Sequence, residues 1–231
     1  MSNARVVMFD IDGTLVDSNF LHVEAWDHAF ASSGMVVPSW RILRAIGADS
    51  DVLLDQLIPT ASAEEREAVV ERHKKLYKDL APRITAFTDA ERLIAEISRR
   101  GVRVVLATSA PQDELDRVMT VLDVADTVHA ITSSEDVEKA KPEPDIISVA
   151  LEKAGAKPSD AIMIGDSVWD VRAAHAAGVI SVGVLSGGTG ESELRAAGAV
   201  EVFDDVAALL AGVDGSALAA LWGEPSPERD L

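Results

Sequence analysis

The residues of this chain best suited to chemistry are acids that follow short apolar runs. The first group is Asp10-Ile11-Asp12-Gly13-Thr14-Leu15. Asp10 closes the apolar stretch Val6–Asp10, and Asp12 lies two residues on, so in extended chain both carboxylates share a face. Gly13 permits a sharp turn and a close approach of backbone to a ligand. Two acids at the end of a buried strand repel each other unless a cation lies between them, although an Asp-Gly turn with solvated acids is the plainer alternative. The second group is Gly165-Asp166-Ser167-Val168-Trp169-Asp170. Asp166 follows another apolar run, and Asp170, four residues later, can share one face of a first helical turn with it. Helix capping alone would also account for Asp166, Ser167 and Asp170. Taken together, Asp10, Asp12, Asp166 and Asp170 make an all-oxygen set, and few ligands with room for water favour Mg²⁺ over Ca²⁺.

Two further groups could complete such a site. Thr108-Ser109 offers hydroxyls and exposed N–H groups as an anion cradle, and Pro111 opens the helix that follows. A plain helix cap competes with that reading. Lys141-Pro142 sets a lysine just ahead of a predicted helix start, where its charge is unfavourable with the dipole unless it faces an anion. There it is either a solvated lysine or a group that neutralises a phosphoryl oxygen.

The elements that must position these groups alternate in type. Val6–Asp10, Val102–Thr108, Val128–Thr132, Ala161–Gly165, Ile180–Val184 and Ala199–Phe203 read as short buried strands. Between them Thr88–Arg100, Pro111–Leu122, Pro142–Ala154, Val168–Ala177, Glu191–Ala197 and Asp204–Leu210 have helical spacing. Alternation of this kind predicts an α/β fold, a doubly wound parallel sheet with helices on both faces. Between Val16 and Ala86 no strand is evident, and Phe20–Ser33, Trp40–Ile46, Asp51–Ile58 and Ala63–Leu80 read as helices with Pro38, Pro59 and Pro82 at the corners. The expected organisation is a core of residues 1–15 and 87–231 carrying a helical cap of residues 16–86, with a frayed tail at Gly223–Leu231.

The chain has 231 residues, 21 basic against 39 acidic, and a net charge of −18, which argues against nucleic-acid and anionic-membrane partners. It has no cysteine, so disulfides, thiol catalysis and zinc–thiolate sites are excluded. Met1–Arg5 leads into no signal-like apolar segment and no run is long enough to span a bilayer, so a cytoplasmic location is expected.

In order, D-x-D-G-T-L-V, T-S, K-P and G-D-S-x-x-D resemble the haloacid dehalogenase superfamily of aspartate-nucleophile phosphatases, from Val6 to about Leu210. The resemblance is closest to the phosphoglycolate phosphatase and β-phosphoglucomutase-like subgroup, with a helical cap at Val16–Ala86. It implies that Asp10 is the nucleophile and Asp12 the general acid and base, with Asp12 retaining a proton more readily beside Asp10. It further implies that Mg²⁺ is held by Asp10, the Asp12 carbonyl and Asp166, with Asp170 orienting the shell. Thr108, the N–H groups at Ser109, and Lys141 would hold the transferring oxygens. The implied substrate is a small phosphorylated metabolite of the sugar phosphate or phosphoglycolate type. The oligomeric state is open and compatible with a monomer.

Departures from the pattern narrow the chemistry. Dehalogenases of the superfamily lack an acid at the position of Asp12, and the phosphonate-cleaving branch also differs there. The cap loop Ile46–Asp51 has Ser50 where mutase relatives commonly carry arginine, which lowers the phosphomutase alternative without removing it. A silent phosphate- or partner-binding module on the same fold is the other alternative. Arg41 and Arg44, three apart on a helix, are candidates for reading the rest of the substrate, with Arg44 the chosen one and solvated arginines the competing reading. His22 is read as structural rather than as a substrate contact, Trp169 as packing on the core, and Gly187-Gly188-Thr189-Gly190 as a tight loop rather than an anion nest.

Overall fold

The structure, a computed structural model, describes residues 4–137 and 141–222; the tail Gly223–Leu231 lies outside the described residues. Six parallel strands, β1 (Ala4–Phe9), β2 (Arg103–Ala107), β3 (Ala130–Thr132), β4 (Ala156–Gly165), β5 (Ile180–Val184) and β6 (Glu201–Phe203), form one sheet in the order β3-β2-β1-β4-β5-β6. The central strands β1 and β2 and the second half of β4 are buried on both faces, and their two-residue period divides the core in two. Val7, Phe9, Val104, Leu106, Ile162 and Ile164 face one side of the sheet. Val6, Met8, Val105, Ala107, Ala161 and Met163 face the other.

The helices are α1 (Asn19–Ser32), α2 (Ser39–Ala45), α3 (Ser50–Leu57), α4 (Ala63–Leu80), α5 (Ala90–Arg99), α6 (Gln112–Val118), α7 (Asp145–Ala154), α8 (Val168–Ala176), α9 (Glu191–Ala197) and α10 (Val206–Ala211). The first face packs Leu93, Ile94 and Ile97 of α5 and Val206 and Leu209 of α10; the second packs Ile146, Ile147 and Ala150 of α7 and Ala173 and Ala174 of α8. The four helices α1–α4 have an apolar cluster of their own, built on Trp26, Phe30, Ile42, Leu54 and Val69. Two short stretches tie this cap to the sheet: Asp17 N–H donates to Thr85 O and Phe87 N–H to Leu15 O, each at 2.9 Å. Among the described residues no helix is long and apolar enough to cross a membrane.

Several boundaries differ from the sequence expectation for local reasons. The strand expected at Ala161 begins at Ala156, and its pairing with β1 shifts register between Ala4 and Val6, so the polar Lys157-Pro158-Ser159-Asp160 hid its start. The helix expected from Pro142 starts at Asp145, after a turn. The helix expected to reach Leu122 ends at Val118. Two 3₁₀ turns, Val213–Gly215 and Ala217–Leu221, were not expected, and they bury Val213, Leu218 and Leu221 against the first face.

Leu93 is fully buried beneath α5. Leu93→Ala should lower unfolding free energy by about 2–5 kcal/mol, from lost transfer energy plus a cavity. Denaturant titration checks this; a loss well under 1 kcal/mol would contradict the packing described.

Candidate active site

Parallel strands in register bring their carboxyl ends to one edge, where ligands bind in open α/β sheets. Phe9 pairs with Leu106 on one side and with Ile164 on the other, so the residues just beyond β1, β2 and β4 meet. Those residues are Asp10, Thr108 and Asp166. The Asp10 N–H donates to Ile164 O at 2.9 Å, which holds it in the line of the strand.

Lys141 lies at the centre. It is fully buried, and its Nζ donates to Asp10 Oδ1 at 2.5 Å and to Ala107 O at 2.9 Å, and lies 2.7 Å from Asp170 Oδ1. Because α7 starts only at Asp145, Lys141 is not a helix-terminal cation as its sequence position implied. Its ammonium is engaged by two carboxylates and one carbonyl. Asp170 also accepts at Oδ2 from Ser167 N–H at 3.0 Å and Ser167 Oγ at 2.7 Å. It therefore both caps α8 and pairs with Lys141.

Asp166 accepts from Thr14 Oγ1 at 3.1 Å and from Asn19 Nδ2 at 2.9 Å, and the same Asn19 nitrogen reaches Gly187 O at 3.1 Å. Gly187 passes so close that a Cβ there would overlap the Asp166 carboxylate. The Gly187–Gly190 run is thus a close-approach loop.

Carboxylate oxygens of Asp10, Asp166 and Asp170 lie within 4.8 Å of one another. Three buried carboxylates face one ammonium, so the cluster is short of positive charge. Burial and the neighbouring Asp170 push Asp166 up to about 8. Burial also pushes Asp10 well above the usual carboxylate range, against the opposing charge of Lys141. A divalent cation fits this hard-oxygen set and would supply the missing charge. The Asp12 carboxylate does not join the cluster. The expectation of four acids in one ligand set is corrected in that respect, because hydrogen bonds turn Asp12 the other way.

Asp12 accepts from Ser18 Oγ at 2.5 Å and lies 3.6 Å from His22 Nε2. Burial would raise its pKa, but the His22 and Ser18 bonds and the His22 charge outweigh it and hold Asp12 below the ordinary carboxylate value. Correspondingly, burial would lower His22, yet Asp12 raises it. His22 and Ser18 therefore favour the ionised form of Asp12, the opposite direction to the expectation that Asp12 keeps a proton more readily beside Asp10. His22 Nδ1 lies 3.2 Å from His73 Nε2, and its ring stacks on Tyr77 at 3.8 Å. Burial, then the charge of His22, drives His73 well below the usual imidazole value, so it stays neutral.

Asp10 and Asp12 open into a cleft between core and cap whose walls include Thr108, Ser109, His22, Trp26, Gly47 and Ser50. Thr108 Oγ1 accepts from Ala110 N–H at 3.0 Å, and Ser109 Oγ lies 3.5 Å from Gly47 O. Arg44 is not part of this cleft. Its guanidinium pairs with Glu193 at 2.8 Å and lines a separate groove between α2 and α9. Arg41 donates to Gln56 O at 2.7 Å. Helix α2 directs both outward, which the three-residue spacing alone could not reveal. Trp169, expected to pack on the core, also bridges to the cap by donating to Arg44 O at 3.2 Å. Sequence reasoning missed Ser18, Asn19, His73 and Glu114 in the site. Ser18 and Asn19 could have been sought as the polar pair that opens the helix after the Asp10–Leu15 motif.

The comparisons with known proteins agree with this geometry. The haloacid dehalogenase-like hydrolase family model matches residues 7–184. A phosphoglycolate phosphatase of Yersinia pseudotuberculosis is 30% identical over 194 residues, covering 79% of this chain and 82% of its own. A hydrolase from Pseudomonas syringae is 33% identical with a TM-score of 0.87, covering 91% of this chain and 98% of that one. A β-phosphoglucomutase from Clostridium difficile, 21% identical with a TM-score of 0.76 over 87% of this chain and 91% of that one, shares the fold. The strand order, the acids at the strand ends and these matches agree: the chain belongs to the haloacid dehalogenase-like hydrolases, among whose phosphatases it resembles phosphoglycolate phosphatases.

Proposed function

We propose that this hydrolase removes the phosphoryl group from a small phosphorylated metabolite, through a phospho-Asp10 intermediate and with Mg²⁺ as cofactor. The observation that carries the reading is the buried Lys141–Asp10 contact, beside Asp166 and Asp170, at the floor of a cleft that Asp12 also faces. The names of the relatives support the reaction class. The metabolite is of the sugar phosphate or phosphoglycolate kind, and the enzyme acts in the cytoplasm with residues 16–86 as its cap.

Asp10 attacks phosphorus, and the bond to the alcohol oxygen breaks. Asp12, recharged from His22, delivers the proton that this oxygen needs. Asp12 then takes a proton from water, which attacks phosphorus and releases Asp10. Thr108 and the N–H groups around Ser109 hold the phosphoryl oxygens. Lys141 favours the ionised form of Asp10 against its burial and holds it in line, and Asp170 acts through Lys141 and Ser167. Mg²⁺, held by Asp10, Asp166 and the Asp12 carbonyl, would offset the charge of the phosphoryl group.

Asp10→Asn should reduce turnover of p-nitrophenyl phosphate by on the order of 10⁴ or more, because an amide is a poor nucleophile. Near-native turnover by the purified variant would overturn the mechanism. Asp12→Asn should cost alkyl phosphates more than aryl phosphates, since good leaving groups need little acid help; equal losses would remove Asp12 from that role. EDTA should abolish activity and Mg²⁺ restore it, with Asp166→Ala raising the Mg²⁺ needed for half-activity more than Asp170→Ala does. Full activity in metal-free buffer would contradict the cofactor assignment.

A further inference from the structure

Glu114 is 8% exposed, lines the same cleft, and meets no hydrogen-bond donor with its carboxyl among the described residues. Its position in α6 explains the free carboxyl. Glu114 is the third residue of the helix, from which a glutamate ordinarily reaches back to the N–H of the capping residue. Here that residue is Pro111, which has no N–H to offer. The carboxyl is left facing the cleft, near enough to His22 and Asp12 for each to feel its charge. A helix dipole favours an exposed acid at this place. It does not account for an acid set this deep with no hydrogen-bond donor to its carboxyl among the described residues, even with the charges of His22 and Arg117 acting on it.

The rest of the cleft wall is short of cations. Lys74 stands at its rim, 3.2 Å from Glu71. His22 is taken by Asp12, and His73 is neutral. No arginine lines the cleft among the described residues, and Arg44 is committed to Glu193 elsewhere. The same cleft wall includes the apolar Trp26, Ile46, Leu53 and Val70 together with Glu114.

Resting on the phosphatase reading, we propose that Glu114 selects the alcohol half of the substrate: it accepts from a hydroxyl or ammonium group there and disfavours a carboxylate. Glycerol 1-phosphate and 2-aminoethyl phosphate present the two donors, and phosphoglycolate presents the carboxylate at similar size. The native enzyme, loaded with Mg²⁺, should show kcat/KM at least about 10-fold higher for one or both donor substrates than for phosphoglycolate, the scale of a hydrogen bond to a charged group. A preference for phosphoglycolate overturns the proposal. Glu114→Gln keeps the shape and one carbonyl acceptor but loses the charge. If the donor is ammonium, the ratio of 2-aminoethyl phosphate to phosphoglycolate should fall about 10-fold or more. If it is a hydroxyl, the ratio for glycerol 1-phosphate should fall less, while phosphoglycolate gains from lost repulsion. Ratios unchanged by Glu114→Gln overturn the proposal, and if that variant does not fold, the native substrate order still decides. Absence of p-nitrophenyl phosphate turnover by the native enzyme would instead bring down the phosphatase reading itself, and this proposal with it.

Discussion

At the carboxyl edge of the sheet, one buried ammonium holds Asp10 and Asp170 together. Lys141 touches Asp10, Asp170 and a carbonyl of β2, with no exposure to water. Removing one partner from such a contact leaves an uncompensated charge and costs about 3–5 kcal/mol. That cost keeps the three residues together, although they come from distant parts of the chain. The same contact leaves the cluster of three carboxylates with a single cation. A site short of positive charge is a site that attracts it, which is why the acid set that is costly for the fold is also suited to a divalent cation and a phosphoryl group.

The cap adds a second constraint, that of close approach. Gly47 (φ +89°) passes the core so tightly that a Cβ would come within 2.8 Å of Ser167 Oγ. Its neighbours use that proximity: Asp49 N–H donates to Lys141 O at 2.9 Å, and Trp169 donates to Arg44 O at 3.2 Å. The cap loop is thereby hydrogen-bonded to both segments that carry the acids' partners. From the other end of the cap, Asn19 holds Asp166 while Ser18 and His22 hold Asp12. The two carboxylates of the first motif thus have opposite surroundings. Asp10 faces the ammonium and the acid cluster, and Asp12 faces a histidine, so burial and the neighbouring acids raise Asp10 while His22 and Ser18 lower Asp12.

What the sequence made legible was what depends on local pattern. Val6–Phe9 could only be a strand buried on both sides, and an acid directly after it had to lie at the sheet edge. Ile180–Val184, Ala63–Leu80 and Glu191–Ala197 were readable to the residue because apolar period and punctuation agree there. What was illegible depends on direction across space. Nothing local tells Lys141 to turn back onto Asp10, or Arg44 to turn away to Glu193. His73 and Glu114 sit on amphipathic helices whose patterns differ little from surface helices, and only the packing of α4 over α1 and of α6 beside the cleft gives them their surroundings. The start of β4 was hidden because a proline and charged residues lie within a strand that bulges.

The central claim is that the carboxylate held by Lys141 is the atom group that takes the phosphoryl. Acid quenching during turnover, followed by borohydride reduction and peptide mapping, tests it most directly, since reduction converts an aspartyl phosphate to homoserine. The account predicts homoserine at position 10 alone, in the native enzyme and far less of it in Lys141→Met. Homoserine at another aspartate, or none during demonstrable turnover, would contradict it.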